Sequence, residues 1–399
     1  MKSEDKFEKI VSPEVLKFID DNIHTSIPDL ILKGIPFDID SKLIVNQILG
    51  RRKARKKLPS WFKATNIIYP PNLNLEQTSS EITANHKAKI VFGDSLFDLT
   101  GGFGVDDVYF SKRINQLHYA EIDKNLSEIA EHNFKIYKIK NIEVLNLDSI
   151  KFLRKTNLKF EWIYVDPSRR AKNEKIFMLE DSLPNVLDHM ELLEKKSNCL
   201  MIKTSPMYDI DVGYTELRGI KELHIISVKN EVKELLWIID WRKKNDTTIK
   251  LYNHTSKKKY SYQVIKNDLQ RNIDTELSPS ENYLYEFNSS IMKSGYYDFL
   301  SQKYYLKKLE TNSHIYTSNT LIHSFPGKVY STIQEKNINF KQLKNQFKGK
   351  QLNIIAKNIQ LSTNEIQKKI KCQIGSDDNY LIFTKTTSGN KVIEAKRLI

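Results

Sequence analysis

The sequence predicts an α/β protein whose central domain is an open, mostly parallel sheet, and three observations carry that prediction. Four short apolar runs, closing at Phe97, Ala120, Leu147 and Val165, are each followed by an acidic residue: Asp98, Glu121, Asp148 and Asp166. A glycine-rich turn, Asp98-Leu99-Thr100-Gly101-Gly102-Phe103-Gly104, separates the first run from the apolar segment 105–110. A strand, a tight glycine turn and a helix start in that order bring the backbone close to a ligand beside a helix N-terminus. Two later runs, 222–228 and 234–240, are joined only by residues 229–233. So short a connection makes them antiparallel, because a parallel pair needs a long crossover. With a fifth run at 199–202, the pattern gives five parallel strands and a closing hairpin. The expected domain is a seven-stranded Rossmann-like sheet over residues 86–245.

Residues 1–85 read as a helical region. Apolar positions within 13–19 recur at helical spacing, and Ser12 stands where it can cap them. Leu43, Ile44, Ile48 and Leu49 form a second helical face that runs into Arg51-Arg52-Lys53-Ala54-Arg55-Lys56-Lys57. That run is either a solvated helix end complementing the helix dipole or a nucleic-acid contact. Beyond Pro70-Pro71, Thr78 and Glu81 have capping-box spacing, which predicts a helix from about Ser79 towards Ala88. After the fourth strand a helix is expected over about 180–194.

The pattern changes from Thr247. Tyrosines alternate with polar residues at 250–252 and 260–264, as in a half-buried hairpin. A strand at 283–287 and helices from Ile291 and over 301–309 complete a small α+β segment, 246–315. In the last domain, 316–399, strand-like runs at 352–356 and 380–384 flank a helix at 363–370.

Charge is unevenly spread. The 399 residues carry 63 Lys+Arg against 49 Asp+Glu, a net +14, and residues 316–399 hold 14 against 5 of these. That last stretch therefore contributes +9 and marks the C-terminal domain as a module facing a polyanion such as RNA. Cys199 and Cys372, the two cysteines, exclude a disulfide framework and a four-cysteine zinc site. No apolar run approaches the ~18 residues of a membrane span, and the charged N-terminus lacks a signal region. The expectation is a soluble, cytoplasmic protein with no metal and no membrane partner.

The glycine turn admits two ligands. A dinucleotide site normally has a third glycine, but the residue three after Gly104 is Asp107, whose carboxylate would face a pyrophosphate. S-adenosylmethionine has no phosphate and carries a cation, so acids around the cleft favour it. Glu121, about 20 residues beyond the turn, stands where a ribose diol is held.

At this point the chain resembles the class I S-adenosylmethionine-dependent methyltransferases. Asp98, Gly102 and Gly104 look like their first motif, with Thr100 where the commonest form has another glycine. Glu121 corresponds to their ribose acid, Asp148 to their adenine-side acid, and Asp166-Pro167 to the motif after strand four. The resemblance implies that the donor is held by Asp98, Thr100, Gly101, Gly102, Gly104, Glu121, Ile122, Asp148, Ser149 and Asp166. The order of the whole chain resembles a bacterial family in which the catalytic domain precedes a ferredoxin-like segment and a THUMP-like domain. Glu76-Gln77-Thr78-Ser79-Ser80-Glu81, Asp166-Pro167-Ser168-Arg169-Arg170, Lys203-Thr204-Ser205-Pro206 and Tyr283-Leu284-Tyr285-Glu286 add to that likeness. Because THUMP domains bind structured RNA, the resemblance implies an RNA substrate, tRNA or rRNA.

Methyl transfer from a sulfonium is an in-line displacement with an already activated electrophile, so the protein mainly aligns the partners and excludes water. Asp166 can accept a hydrogen bond from the acceptor, Pro167 turns the chain so that a carbonyl can help, and Ser168 completes the catalytic motif. Arg169 and Arg170 are placed to clamp a phosphate or to pair within the protein. Lys203 and Ser205, ending the fifth strand, are assigned to the substrate with them. Base-amine methylases favour an aromatic residue after Asp/Asn-Pro-Pro to stack on a flipped base; here Ser168-Arg169 replaces that proline-aromatic pair. Pyrimidine C5 chemistry needs a cysteine nucleophile, and Thr204-Ser205-Pro206 offers none. Attack by nitrogen or oxygen remains. The alternative is an RNA-binding protein whose methyltransferase fold is not catalytic.

Overall fold

A computed structural model describes residues 3–169, 178–242, 246–256, 259–268, 273–375 and 378–399. The chain divides into two compact units, Met1–Leu223 with Glu234–Asn245, and His224–Lys233 with Asp246–Ile399. Among the described residues no helix is long and apolar enough to cross a membrane.

The first unit opens with helices α1 (Ser3–Ile10), α2 (Pro13–Asp21), α3 (Ile27–Lys33), α4 (Ser41–Lys57), α5 (Pro59–Lys63), α6 (Asn72–Gln77) and α7 (Glu81–Ala88). Val15, Ile19, Leu30, Ile44 and Ile48 bury a common apolar core, as their helical spacing requires. Between α5 and α6 the extended stretch Ile67–Pro70 is held from both sides. Gln47 exchanges two hydrogen bonds with the Tyr69 backbone, at 2.8 and 2.9 Å, and Asn133 does the same with Ile68 at 2.9 and 3.0 Å.

The sheet follows: β1 (Gly93–Asp98), α8 (Val105–Phe110), β2 (Ile114–Ala120), α9 (Lys124–Ile136), β3 (Ile142–Leu145), α10 (Ser149–Lys155), β4 (Phe160–Val165), α11 (Met190–Lys196), β5 (Ser197–Thr204), α12 (Ile210–Glu216), β6 (Ile220–Val228) and β7 (Glu231–Asp240). β1 lies parallel to β2 and β4, β2 to β3, and β4 to β5, while β7 runs antiparallel to β5. Lys229 and Asn230 at the β6–β7 turn both have positive φ, 53° and 63°, the two-residue geometry whose twist matches a hairpin.

Two further strands, β8 (Thr248–His254) and β9 (Lys259–Ile265), extend the hydrogen-bonded order to β9-β8-β6-β7-β5-β4-β1-β2-β3. The sheet thus has nine strands where seven are expected. The alternating tyrosine hairpin is present as read, with every second side chain of β8 buried. Its Asn253 and His254 bind the β6–β7 turn, at 3.0 Å to the Asn230 N–H and 2.7 Å to the Lys229 N–H.

Three local expectations are corrected. The helix expected over 180–194 begins only at Met190, after a 3₁₀ turn at Leu187–His189. Pro184 cannot donate to a helical ladder, and the Asn185 side chain instead takes the N–H groups of Leu187 and Asp188. The capping box of α7 is built by Ser80 and Thr83, because Thr78 already terminates α6; Glu81 accepts from the Ser60 N–H and hydroxyl instead. The basic run is largely consumed inside the fold. Arg51 binds Asp20, Arg52 binds the carbonyls of Asn22, Ile23 and Thr25, Lys53 pairs with Glu76, and Lys57 caps the carbonyls of Leu75 and Glu76. Arg55 and Lys56 stay exposed.

In the second unit, β10 (Tyr283–Phe287), α13 (Ser289–Ser294), α14 (Tyr297–Lys303) and β11 (Tyr316–Ser318) precede β12 (Gly327–Asn337), α15 (Phe340–Phe347), β13 (Gln351–Lys357), α16 (Thr363–Ile370), β14 (Asn379–Thr386) and β15 (Gly389–Arg397). β11, β10, β12, β15, β14 and β13 are consecutive in one sheet. Leu343 and Phe347 of α15 and Ile366 and Ile370 of α16 pack on Leu352, Ile354, Leu381, Phe383 and Val392.

Candidate functional site

β1 and β4 are neighbours, with β2 and β3 on one side and β5 on the other, so the strand order reverses between them. A crevice opens at the carboxyl ends of strands at such a switch point. Asp98, Glu121, Asp166 and Lys203 all stand at those ends.

The glycine turn is shaped by what surrounds it. Gly102 and Gly104 have φ of 57° and 76°, which L side chains rarely adopt. A Cβ on Gly101 would come within 2.1 Å of the Tyr119 ring, and one on Gly104 within 2.6 Å of Phe134, whereas beside Gly102 only the Thr100 carbonyl lies within 4 Å. The turn is therefore packed on its inner side and open at Gly102. Tyr119 donates to the Gly102 carbonyl at 2.5 Å. Phe103 packs on Trp61 of α5 at a centroid distance of 4.6 Å, so the N-terminal helices buttress the turn.

Side chains cross-link the turn to the other strand ends. Glu121 accepts the Gly102 N–H at 3.0 Å and the Asp123 N–H at 2.8 Å, one on each carboxylate oxygen. It is thereby aimed, with lone pairs remaining for a diol. Thr100 receives the Asp166 N–H on its hydroxyl at 2.7 Å and contacts Asp98 Oδ1 through that hydroxyl at 3.2 Å. Its own N–H donates to Asp98 Oδ1 at 2.7 Å. Ser149 is buried and donates to the Leu99 carbonyl at 2.9 Å. Asp148 caps α10 through the Lys151 N–H at 3.0 Å, and that bond holds its carboxyl below the usual range. Ile122 lies exposed next to Glu121.

Asp166 and Lys203 form an ion pair across the ends of β4 and β5. Burial pushes the Lys203 ammonium towards neutrality, but Asp166, Glu234 and Asp106 outweigh it and leave its pKa raised. Pro167 is buried and Ser168 exposed; the Ser168 backbone pairs with Leu183 in a two-residue ladder, Ser168–Arg169 with Ser182–Leu183. The Arg169 side chain and all of Arg170 lie outside the described residues. Ser205 accepts the Met207 N–H at 3.2 Å within a turn. Cys199 binds Arg242, and burial raises its thiol pKa to about 11. It sits four residues before Lys203, roughly 13 Å along the strand.

A buried network behind the site was not anticipated. Lys87 of α7, fully buried, contacts Asp106 at 3.1 Å, Glu234 of β7 at 3.2 Å and Ser79 at 2.7 Å. Asp106 also accepts from Ser79 at 2.8 Å and Tyr164 at 3.0 Å. Asp107 points the other way from the expectation: it is wholly buried and faces Asp98, not the crevice. Burial pushes Asp98 up to about 8, with Asp106 and Asp166 adding to it, and holds Asp107 well above the carboxylate range, where the Asp98 and Asp106 charges push the same way. The Asp106-Asp107 pair directly after the glycine turn was the sequence signal for this cluster. Among the described residues no group of three or more His, Cys, Asp or Glu is arranged to hold a metal ion.

The strand ends thus offer an open glycine and a carboxylate aimed for a diol. Known proteins place the chain further. Residues 283–326 match the family model of a ferredoxin-like domain, and residues 327–397 that of a THUMP-like domain. A crystal structure of a candidate methyltransferase from Porphyromonas gingivalis W83 superimposes with a TM-score of 0.84 at 25% identity, covering 98% of both chains. The two share one fold from end to end. An uncharacterized RNA methyltransferase of Mycoplasma mobile is 29% identical over 110 residues, 27% of this chain and 28% of that relative. The match thus spans under a third of the relative's length. This is a protein of methyltransferase fold with a ferredoxin-like and a THUMP-like domain.

Proposed function

We propose that the protein is an S-adenosylmethionine-dependent methyltransferase acting on a nitrogen or oxygen of a nucleotide in structured RNA, tRNA or rRNA. The observation that carries the reading is the convergence of Gly102, Glu121 and the Asp166–Lys203 pair on one strand-end crevice. When bound, the donor supplies an activated methyl group. Gly102 lets it approach the backbone, Glu121 holds its ribose, and Thr100 ties the donor turn to Asp166, which orients the acceptor. Ile122 offers an apolar surface to the adenine, beside Asp148. Arg169 and Arg170 are assigned to the RNA phosphates. Ser205 stands beside the acceptor in this reading. The similarity to the Mycoplasma mobile relative, the THUMP-like domain and the concentration of charge in residues 316–399 support RNA as the substrate.

Calorimetry with S-adenosylmethionine and with nicotinamide dinucleotides tests the donor. Binding of the dinucleotide without response to S-adenosylmethionine would overturn the reading. Donor binding without methyl transfer to any RNA would favour the non-catalytic RNA-binding protein.

A further inference from the structure

The charges at the ends of β4 and β5 restrict the acceptor. Lys203 is 12% exposed and its partner Asp166 33%, so the carboxylate opens to the crevice and the ammonium lies behind it. The neighbouring carboxylates Asp106 and Glu234 are occupied by Lys87 at 3.1 and 3.2 Å. Lys203 is therefore left to Asp166 and to whatever enters beside it.

Resting on the methyltransferase reading above, we infer that the acceptor is an alcohol, the ribose 2′-hydroxyl of an RNA nucleotide, and not an amino group of a base. The sign of the developing charge decides between them. A hydroxyl must lose its proton as it attacks, so negative charge gathers on oxygen, where a fixed ammonium is stabilising. A base amine attacks with its neutral lone pair and becomes positive, where the same ammonium is unfavourable. The Asp166 carboxylate beside Lys203 completes the requirement for a proton acceptor. The oxygen–methyl bond forms and the methyl–sulfur bond breaks. Sulfur keeps that electron pair, and the hydroxyl proton passes to Asp166 and on to solvent.

The test uses the full-length protein, methyl-labelled S-adenosylmethionine and total RNA from cells lacking the gene. Nucleoside mass spectrometry is expected to place the label on ribose, and alkaline hydrolysis to leave it in alkali-stable dinucleotides. Label on a base would overturn this inference while leaving the RNA methyltransferase reading intact. Absence of transfer to any RNA by the wild-type protein would overturn both. Lys203→Ala should slow turnover by about 10²-fold, with donor affinity within about twofold by calorimetry. Lys203→Arg, which keeps the cation, should recover part of that loss. Equal turnover by all three proteins would remove Lys203 from the reaction.

Discussion

The Asp166 backbone N–H donates to the Thr100 hydroxyl at 2.7 Å, across 66 residues of sequence. Thr100 is also bonded to Asp98 through its own N–H, so the donor turn and the post-β4 motif share one threonine. Thr100→Val keeps the side-chain shape and removes the hydroxyl. It is expected to lower kcat by up to about 10²-fold, the cost of a displacement near 1 Å, with donor affinity little changed; Thr100→Ser should restore most of the rate. Asp166→Ala should go further and remove turnover with donor affinity largely kept, because its interaction with the acceptor matters most in the transition state. Single-turnover kinetics alongside calorimetry separates rate from affinity. Loss of donor affinity alone in Thr100→Val would contradict the bridging role, and near wild-type activity of Asp166→Ala on RNA would show that its assigned role is wrong.

The glycine turn makes a sharper demand. Gly102→Val should abolish donor binding while circular dichroism stays native, because the positive φ and the open face are both lost. Gly101→Ala should destabilise the protein by about 1–3 kcal/mol, since its Cβ meets the Tyr119 ring. Donor titration and thermal melts distinguish a ligand-facing glycine from a packing one; unchanged donor affinity in Gly102→Val would place the donor elsewhere.

The Asp98–Asp107 pair predicts a pH effect of definite sign. Both carboxyls are raised by burial, Asp98 to about 8, so the folded ligand-free protein binds more protons than the unfolded chain. Stability contributed by the protonated pair is present below about pH 4 and declines as pH rises through about 8. Asp107→Asn should flatten that decline and melt above wild type at pH 8. Identical pH slopes for the two proteins would show that Asp107 does not carry the effect.

Lys87 supports the site from behind. Replacing it with methionine leaves Glu234 and Asp106 buried without their cation, at an expected cost of about 3–5 kcal/mol. Denaturant unfolding measures this directly, and Lys87→Arg should fare better than Lys87→Met. A near-neutral Lys87→Met would mean that water or protons replace the ammonium without strain.

RNA affinity should depend on the C-terminal helices more than on α4. Lys341 on α15, Lys348 at its C-terminal end, and Lys368 and Lys369 on α16 are exposed, whereas Arg51, Arg52, Lys53 and Lys57 are bound within the fold. Replacing the four C-terminal lysines with alanine should weaken RNA binding and lower its salt slope by roughly 0.7–0.9 for each phosphate that is no longer neutralised. Filter binding at two salt concentrations reads both quantities. An unchanged affinity would show that the C-terminal helices are not the RNA surface.

By itself the sequence determined the order of strand, glycine turn and strand-end acid, and hence the edge proposed for the site. That information is local: alternation, turn chemistry and the residue closing each strand act over a few positions. It also indicated strands at 352–356 and 380–384 and a helix at 363–370 between them, where the structure has Gln351–Lys357, Asn379–Thr386 and α16. Tertiary structure alone decided which charges are available. Lys87 and Glu234 meet across 147 residues, Arg51 and Arg52 are captured by groups around α2 and its C-terminal turn, and Asp107 turns inward to Asp98. None of these follows from spacing, because desolvation and pairing depend on which distant groups share a buried volume. The ninth strand has the same cause. The β8–β9 hairpin is legible in its alternation, but the partner that accepts its edge is set by the β6–β7 turn folded against it.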